Sequence, residues 1–425
     1  MAGVMKKGEV LIVTAPWVLS FDKPLIKNGA VALLDGRIVG VGSEHKVAER
    51  FSTSVTHRYP GVLLPALVNA HMHLELSCFN ADTALDANSS FTDWVEDLLQ
   101  KRAHNAVSEK DIRIAAERQI EKQFESGVVF IGDIGNIPEF FFSPPAESHL
   151  PQVYHMLEFL GSTHDAVQNS FKRLENLPVT VAAVAHAPYS TRPELLVKIK
   201  ERCDRLGHIF SVHTSETWDE LSFITSQTGL FRDFLEKRGT WDGEFFRNAP
   251  ESSSTIDYFS RLGLLNAKTL LVHCVSVSDQ DLAVVQESGA KICVCPGSNA
   301  FLHSGVAPVK TMLDYDIIPA LGTDSPASNP QPDMWAEMQR VAADHPGIDA
   351  VMILKMATQA GAKAFGLDAH YGNISLGKAA SFLHVDSKKI NNCKTDKELL
   401  NVLVKSGKPE IIQWIQQPLM HSQSK

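Results

Sequence analysis

No stretch of this 425-residue chain reaches about 18 consecutive apolar residues, so no membrane-spanning helix is expected. Basic runs and arginine-rich segments are missing as well. With a formal net charge of −9, that argues against a nucleic-acid partner. Cysteine is scarce: six residues, widely scattered. Cys293 and Cys295 are two apart, too close for a CxxC pair, and read as buried residues of an apolar strand. No disulfide framework is implied, which suits a reducing cytoplasm. After Met5-Lys-Lys an apolar stretch imitates a secretory signal. Glu9 and Pro16 interrupt it and no small-x-small site follows, so a strand is expected there. What remains is ordinary for a soluble globular protein: 44% hydrophobic and 21% charged residues, in a chain long enough for a large core and a smaller accessory unit.

Against that background, residues 65–77, PALVNAHMHLELS, stand out. His71 and His73 follow the apolar run Gly61–Val68. In a strand, residues i and i+2 share a face, so the two imidazoles leave the strand end side by side, as two ligands of one metal would. Three further apolar runs end in reactive side chains. Gly207–His213 ends in histidine with Glu216 three residues on, Thr269–His273 ends in histidine, and Ile317–Asp324 ends in a carboxylate. One such ending is commonplace; four in the order HxH, HxxE, H, D form a specific pattern.

Strand and helix signals alternate between these points. Candidate strands are Leu63–His73, Val128–Asp133, Gln152–Leu160, Val179–His186, His208–His213, Thr269–His273, Lys291–Cys295 and Ile317–Asp324. Helical patterns include Phe91–Arg102, Glu109–Glu125, Arg192–Leu206 and Ser278–Ser288. Eight apolar strands alternating with helices predict an α/β fold, a (β/α)8 TIM-like barrel, whose functional residues stand at the C-terminal strand ends. The ligand candidates fall at those ends of strands one, five, six and eight. Residues 217–265 form the longest insertion, rich in aromatics such as Trp218, Phe231, Trp241 and Tyr258. It reads either as a helical pair packed on the rim or as a lid that shapes a substrate pocket.

The motifs PALVNAHMH, HTSE, VHC and LGTDSPASN resemble those of the amidohydrolase superfamily, in its branch of mononuclear-metal deaminases and chlorohydrolases. Pro65-Ala66 replaces the usual Pro-Gly. The resemblance spans about residues 8 to 390. It implies a small discontinuous β-sandwich made from the flanking segments, where Ala380-Ser381 stands for the usual Ala-Asp. The organisation expected is 1–60 as the first sandwich half, 61–368 as the barrel, and 369–425 as the second half with a C-terminal tail.

The resemblance also implies a ligand set of His71, His73, His213 and Asp324 for one divalent metal, with Zn²⁺ the default and Fe²⁺ the alternative. Such a metal lowers the pKa of a water from about 15.7 toward about 7. Asp324 then accepts the water's proton, His273 orients it and steadies the developing oxyanion, and Glu216 serves as general acid and base. Binuclear relatives bridge two metals with a Lys or Glu of the fourth strand, and Val179–His186 contains neither. HAPYS at 186–190 resembles a motif in which the histidine faces substrate, so His186 is a candidate contact beside Glu158. Ser298 and Asn299 resemble the loop that supports site and substrate, and His303 joins them as a candidate. Ser325 and Asn329 are expected to orient Asp324. Glu75 reads as a pocket-mouth residue or a cap.

The expected activity is hydrolytic deamination of an aminated purine nucleoside-like substrate. HLELSxF followed by SSFTDWVEDLLQKR resembles aminodeoxyfutalosine deaminases of the menaquinone route. Adenosine, methylthioadenosine or adenosylhomocysteine would undergo the same chemistry. The adenosylhomocysteine reading is weakened because the helix after the metal histidines lacks a clear acidic residue at the position used for ribose. The alternative is a chlorohydrolase or aminohydrolase of s-triazine-like or free-base heterocycles. A catalytically dead scaffold would have lost a ligand, and none is lost. Expected partners are a small-molecule substrate, no nucleic acid and no membrane, with a homodimer left open; the expected location is cytoplasmic.

Overall fold

The computed structural model describes residues 8–52, 54–81, 89–104, 107–137, 150–247 and 249–416. Met5-Lys-Lys and the tail at 417–425 lie outside the described residues.

Both chain ends contribute to one outer sheet. Its strands are β1 (Leu11–Val18), β2 (Ile26–Leu34), β3 (Arg37–Ser43), β4 (Val55–Arg58) and β5 (Val62–Pro65). Two more come from the other end of the chain, β14 (Ser381–Val385) and β15 (Ile412–Gln416). They run in the order β15-β14-β5-β1-β2-β3, with β4 paired to β1. One edge of β1 is thus shared, Leu11–Thr14 with β4 and Trp17–Val18 with β5. Val13, Val31, Leu33, Ile38, Leu63, Phe382 and Ile415 pack into one core against this sheet. Hydrogen bonding makes it a single continuous sheet, discontinuous only in sequence.

The remaining strands are parallel and buried. One sheet contains β6 (Leu67–Met72), β7 (Val128–Gly135), β8 (Gln152–Phe159) and β9 (Ala182–Ala185). The other contains β10 (Phe210–Thr214), β11 (Thr269–His273), β12 (Lys291–Val294) and β13 (Ala320–Leu321). Backbone bonds cross between the sheets at both edges. The His213 amide donates to the His186 carbonyl at 2.9 Å, and the amides of Thr323 and Asp324 both donate to the His71 carbonyl at 3.1 Å. Helices fill the gaps and are closed by local signals. Capping boxes start Glu109–Glu125 at Ser108 and Asp279–Ser288 at Ser278, while Gly207 in the left-handed region ends Pro193–Leu206.

Three sequence-based boundaries differ. The first apolar run divides at Ala66: Val62–Pro65 pairs with β14 and β1, and the parallel strand begins only at Leu67. Uninterrupted hydrophobicity hid a passage from one sheet to another. The fourth strand starts at Ala182 rather than Val179, which is 67% exposed. The eighth is only two residues long, and Gly322–Asp324 continues as a turn bonded to His71. Cys293 and Cys295 are buried thiols, and no helix among the described residues is long and apolar enough to cross a membrane.

Gly322 marks the tightest point of that turn. A Cβ there would stand 2.7 Å from the His71 Cβ and 2.9 Å from the Cys293 Sγ. Gly322→Ala should therefore lower stability by about 1–3 kcal/mol through overpacking. Urea unfolding measures it, and an unchanged midpoint would mean the turn has room to spare.

Candidate metal and catalytic centre

The C-terminal strand ends deliver their side chains into one dry volume. His71 and His73 leave β6 in succession, His213 ends the apolar part of β10, His273 ends β11, and Asp324 follows β13. All are buried. The backbone at Ser215, His273, Cys274 and Asp324 is left-handed, with φ of 50°, 75°, 47° and 57°. Residues with a Cβ take that conformation reluctantly, and its clustering here marks a functional centre.

His213 and Asp324 each have one atom committed elsewhere and one left inward. His213 Nδ1 donates to the His186 carbonyl at 2.7 Å, so its Nε2 presents a lone pair, 3.3 Å from His73 Nε2. Asp324 Oδ2 accepts the hydroxyls of Ser298 at 2.5 Å and Ser328 at 2.9 Å. Its Oδ1 faces His71 Nε2 and His73 Nε2, each at 3.5 Å. Both ring nitrogens of His71 are buried without a hydrogen-bond partner. Burial, and then the neighbouring imidazole of His71, pull His73 down to about 3, and His213 is held well below its ordinary value for the same reasons. Asp324 would be raised by burial, but His71, His73 and His273 hold it well below the usual carboxylate range. Neutral imidazoles and an ionised carboxylate converging on one point fit a divalent cation.

The ligand atoms of His71, His73 and His213 lie within 4.8 Å of one another. Glu158, His186 and His213 meet the same criterion. Both groups need His213 Nε2, because Nδ1 is taken. One nitrogen cannot serve two ions, so the groups exclude each other.

Beside this cluster, Glu216 Oε1 lies 3.6 Å from His273 Nε2. Burial, with the negative charges of Asp324 and Glu220, raises the Glu216 carboxyl well above its ordinary range. His273 is pushed down to about 4, chiefly by burial. With Asn299 Oδ1 accepting from Nδ1 at 2.9 Å, His273 directs its Nε2 lone pair at that acid.

A cavity of about 360 Å³ opens above these groups. His73, His186, His213, Glu216, His273 and Asp324 form its floor. Its lining also includes the apolar Phe91, Trp94, Leu98, Phe231, Phe234 and Leu235 and the polar Glu158, Asn136 and Ser190. Glu158 accepts from Asn136 at 2.8 Å through one oxygen, while the other is buried without a partner. Burial raises Glu158 to about 7.

The expected residues sort as follows. His73, His213, Asp324, Glu216, His273, His186 and Glu158 all line the cavity, and His71 joins the donor cluster from outside the lining, its Nε2 3.5 Å from Asp324. Ser298 and Asn299 do not line the cavity; they hold Asp324 and His273 instead. Ser325 reaches Asp324 only through Ser328, and Asn329 bonds the Thr323 carbonyl and Glu337. His303 is exposed and outside the lining. Glu75 is at the cavity, paired with Arg102 at 3.2 Å and accepting from the Asn136 and Ile137 amides. Ser328, Arg102, Asn136 and Tyr189 were not singled out from sequence, although Ser328 lies within LGTDSPASN, Arg102 ends SSFTDWVEDLLQKR and Tyr189 lies within HAPYS; only Asn136 lies outside every quoted motif. Part of the 217–265 insertion packs on itself and part of it lines the cavity. Phe223, Trp241, Phe245 and Phe246 pack on one another, while Phe231 and Phe234 wall the cavity. Phe231 stacks on Tyr189 at 3.9 Å.

The sequence profile described as amidohydrolase family matches residues 62–411. The chain belongs to the amidohydrolase family. This amidohydrolase is 26% identical over 381 residues to a 5-methylthioadenosine/S-adenosylhomocysteine deaminase of Syntrophobacter fumaroxidans, covering 85% of this chain and 80% of that one. Its fold matches Helicobacter pylori aminofutalosine deaminase in complex with methylthio-coformycin, with a TM-score of 0.75, 24% identity and 93% and 96% coverage. It also matches atrazine chlorohydrolase of Arthrobacter aurescens TC1 complexed with zinc, with a TM-score of 0.71, 16% identity and 92% and 90% coverage.

Because the two donor groups share one nitrogen, elemental analysis of this amidohydrolase should find about one divalent ion per chain. Asp324→Ala should lower that occupancy. Two fully occupied ions per chain would contradict the shared-nitrogen argument.

Proposed function

We propose that this amidohydrolase is a metal-dependent hydrolytic deaminase of a 6-aminopurine nucleoside, replacing the amino group with oxygen and releasing ammonia. The observation that carries the reading is the buried Glu216 carboxyl, 3.6 Å from His273 Nε2 beside the inward-facing donor cluster. The deaminase activity named for the similar Syntrophobacter protein supports it. We further propose one Zn²⁺ per chain on His71, His73, His213 and Asp324, with Fe²⁺ as the alternative. The bonds across both sheet edges support a closed (β/α)8 barrel that begins at Leu67 rather than at residue 61 and runs to about residue 368. The described residues before Leu67 and after 368 then form the smaller unit built on the outer sheet. A cytoplasmic location and a homodimer remain part of the proposal.

A divalent ion bound there brings the pKa of a water near neutrality. The residues do the rest. Neutral Glu216 donates its proton to the ring nitrogen next to the amino-bearing carbon. Asp324, aimed by Ser298 and Ser328, takes one proton of the attacking water. His273, aimed by Asn299, orients that water. The C–O bond forms. Asp324 passes its proton to the amine, the C–N bond breaks and ammonia leaves. The remaining hydroxyl proton on the carbon returns to Glu216, so the product is the 6-oxo compound and both carboxyls are restored.

Substrate assignment rests on the cavity lining. Its aromatic side chains suit a purine and an apolar 5′ substituent. Glu158 and His186 suit ribose hydroxyls: Glu158 has a buried oxygen with no protein partner, and His186 is a neutral imidazole held by Ser190 at 2.6 Å. Within the class, aminodeoxyfutalosine, methylthioadenosine and adenosylhomocysteine are the candidates.

Glu216→Gln keeps the size of the side chain but cannot cycle a proton. Its kcat should fall by roughly 10² to 10⁴ with metal content unchanged; wild-type turnover would remove Glu216 as the proton carrier. In a panel of 5′-modified adenosines, adenosine, adenine, guanine, cytosine and an s-triazine, nucleosides should win by kcat/KM. A site that bonds ribose leaves its polar groups unpaired when the sugar is missing. A free base as best substrate would reject the nucleoside assignment, and chloride release from a triazine would favour the chlorohydrolase alternative.

A further inference from the structure

Thr217-Trp-Asp-Glu220 has the spacing of a helix capping box. In that motif the third residue's carboxylate returns to the N-cap amide. The reciprocal form occurs at Ser108 with Asp111, Ser278 with Asp281 and Thr395 with Glu398. At Thr217 only half of it forms. The Thr217 hydroxyl accepts from the Glu220 amide at 3.3 Å, but the Glu220 carboxylate reaches past the cap. Its Oε1 accepts the Ser215 amide at 2.6 Å and the Thr255 hydroxyl at 2.8 Å, and its Oε2 accepts the Glu216 amide at 3.3 Å.

The same short segment is held from the other side. The Ser215 carbonyl accepts the amides of Val275 and Ser276 at 2.9 Å each and the Ser276 hydroxyl at 3.1 Å. Those residues follow directly on His273. The backbone that bears Glu216 is thereby bonded to the backbone that bears His273. Ser215 sits at a φ of 50°, a conformation that neighbouring bonds must maintain. Glu220 is wholly buried, and burial pushes its carboxyl up to about 7. A buried carboxylate is costly, and a surface cap would not need one. Glu220 does not line the cavity, whereas Glu216 does.

We propose that Glu220 is a positioning residue for the proton carrier: by gripping the Ser215 and Glu216 amides it sets where the Glu216 carboxyl stands relative to His273. This rests on Glu216 acting as the general acid. Glu220→Gln keeps the shape of the side chain but turns an amide donor toward one of three donors. The acid is then displaced while the metal ligands stay in place.

The test is a double-mutant cycle on the metal-loaded enzyme with a purine nucleoside that it turns over, reading kcat, KM and metal content. Glu220→Gln should lower kcat roughly ten- to a hundredfold, the scale expected when a catalytic group is misplaced. KM and metal content should stay near wild type. In the Glu216→Gln background the same change should have no further effect on kcat, because residues acting as a unit are not additive. An equal loss in both backgrounds, or no loss at all, overturns the positioning role and leaves Glu216 as the acid. Wild-type turnover by Glu216→Gln alone overturns both assignments. If Glu220→Gln does not fold, Thr255→Val removes only the hydroxyl on Oε1. Its smaller loss of kcat should likewise vanish in the Glu216→Gln background, and its persistence there overturns the proposal.

Discussion

Several lone pairs aimed at one small volume, inside protein too dry to solvate them, are the constraint on which this molecule is built. Burial keeps His73 and His213 neutral, while His71 and His73 each stand 3.5 Å from the Asp324 carboxylate and His213 turns its Nε2 toward His73. Such an arrangement repels itself unless a cation is added or each group is held in place from behind. Both answers are written into the residues. The donor set is that of a divalent ion, and three of the groups are tethered through their other polar atom: His213 to a carbonyl, Asp324 to two hydroxyls, His273 to Asn299.

The tethers explain features that look unrelated in the chain. After β12, Ser298 and Asn299 do not face the cavity because they are spent on Asp324 and His273. Glu337, a buried carboxylate pushed up to about 8 by burial, accepts from the Gly297 amide and from Asn329. It thus binds the loop after β12 to the turn after β13. Left-handed backbone collects at the same strand ends, where side chains must be turned inward at once after a straight strand. Rigidity at the floor contrasts with the cavity walls. There the helices Phe91–His104 and Leu230–Lys237 meet across the opening through an exposed Lys237–Glu96 pair at 2.7 Å. Exposed pairs of this kind contribute little to stability, so the wall depends on the stacking of Phe231 on Tyr189 and on apolar contact.

What could be read from the chain was whatever depends on local period. The parity of His71 and His73, the apolar runs ending in His213, His273 and Asp324, and the three-residue step to Glu216 are one-dimensional patterns. Strand geometry converts them directly into a shared face. The alternation of strands and helices had the same character, and it put these side chains at the C-terminal strand ends, where the structure has them.

Other features were decided only when distant segments met. The passage of Val62–Pro65 into the outer sheet depends on β14, more than 300 residues further on, while the apolar sequence runs through Ala66 without a break. Ser325 and Asn329 are the partners the sequence suggests for Asp324, yet Ser298 and Ser328 reach it, because the turn after β13 sets which hydroxyl faces the carboxylate. Glu220 carries the signature of a helix cap and spends its carboxylate on the peptide that holds Glu216. The ligand order was therefore determined by the sequence alone, through the two-residue period of strands. The groups that aim those ligands were determined by tertiary structure, because a hydrogen bond depends on distance and angle in space and leaves no period along the chain.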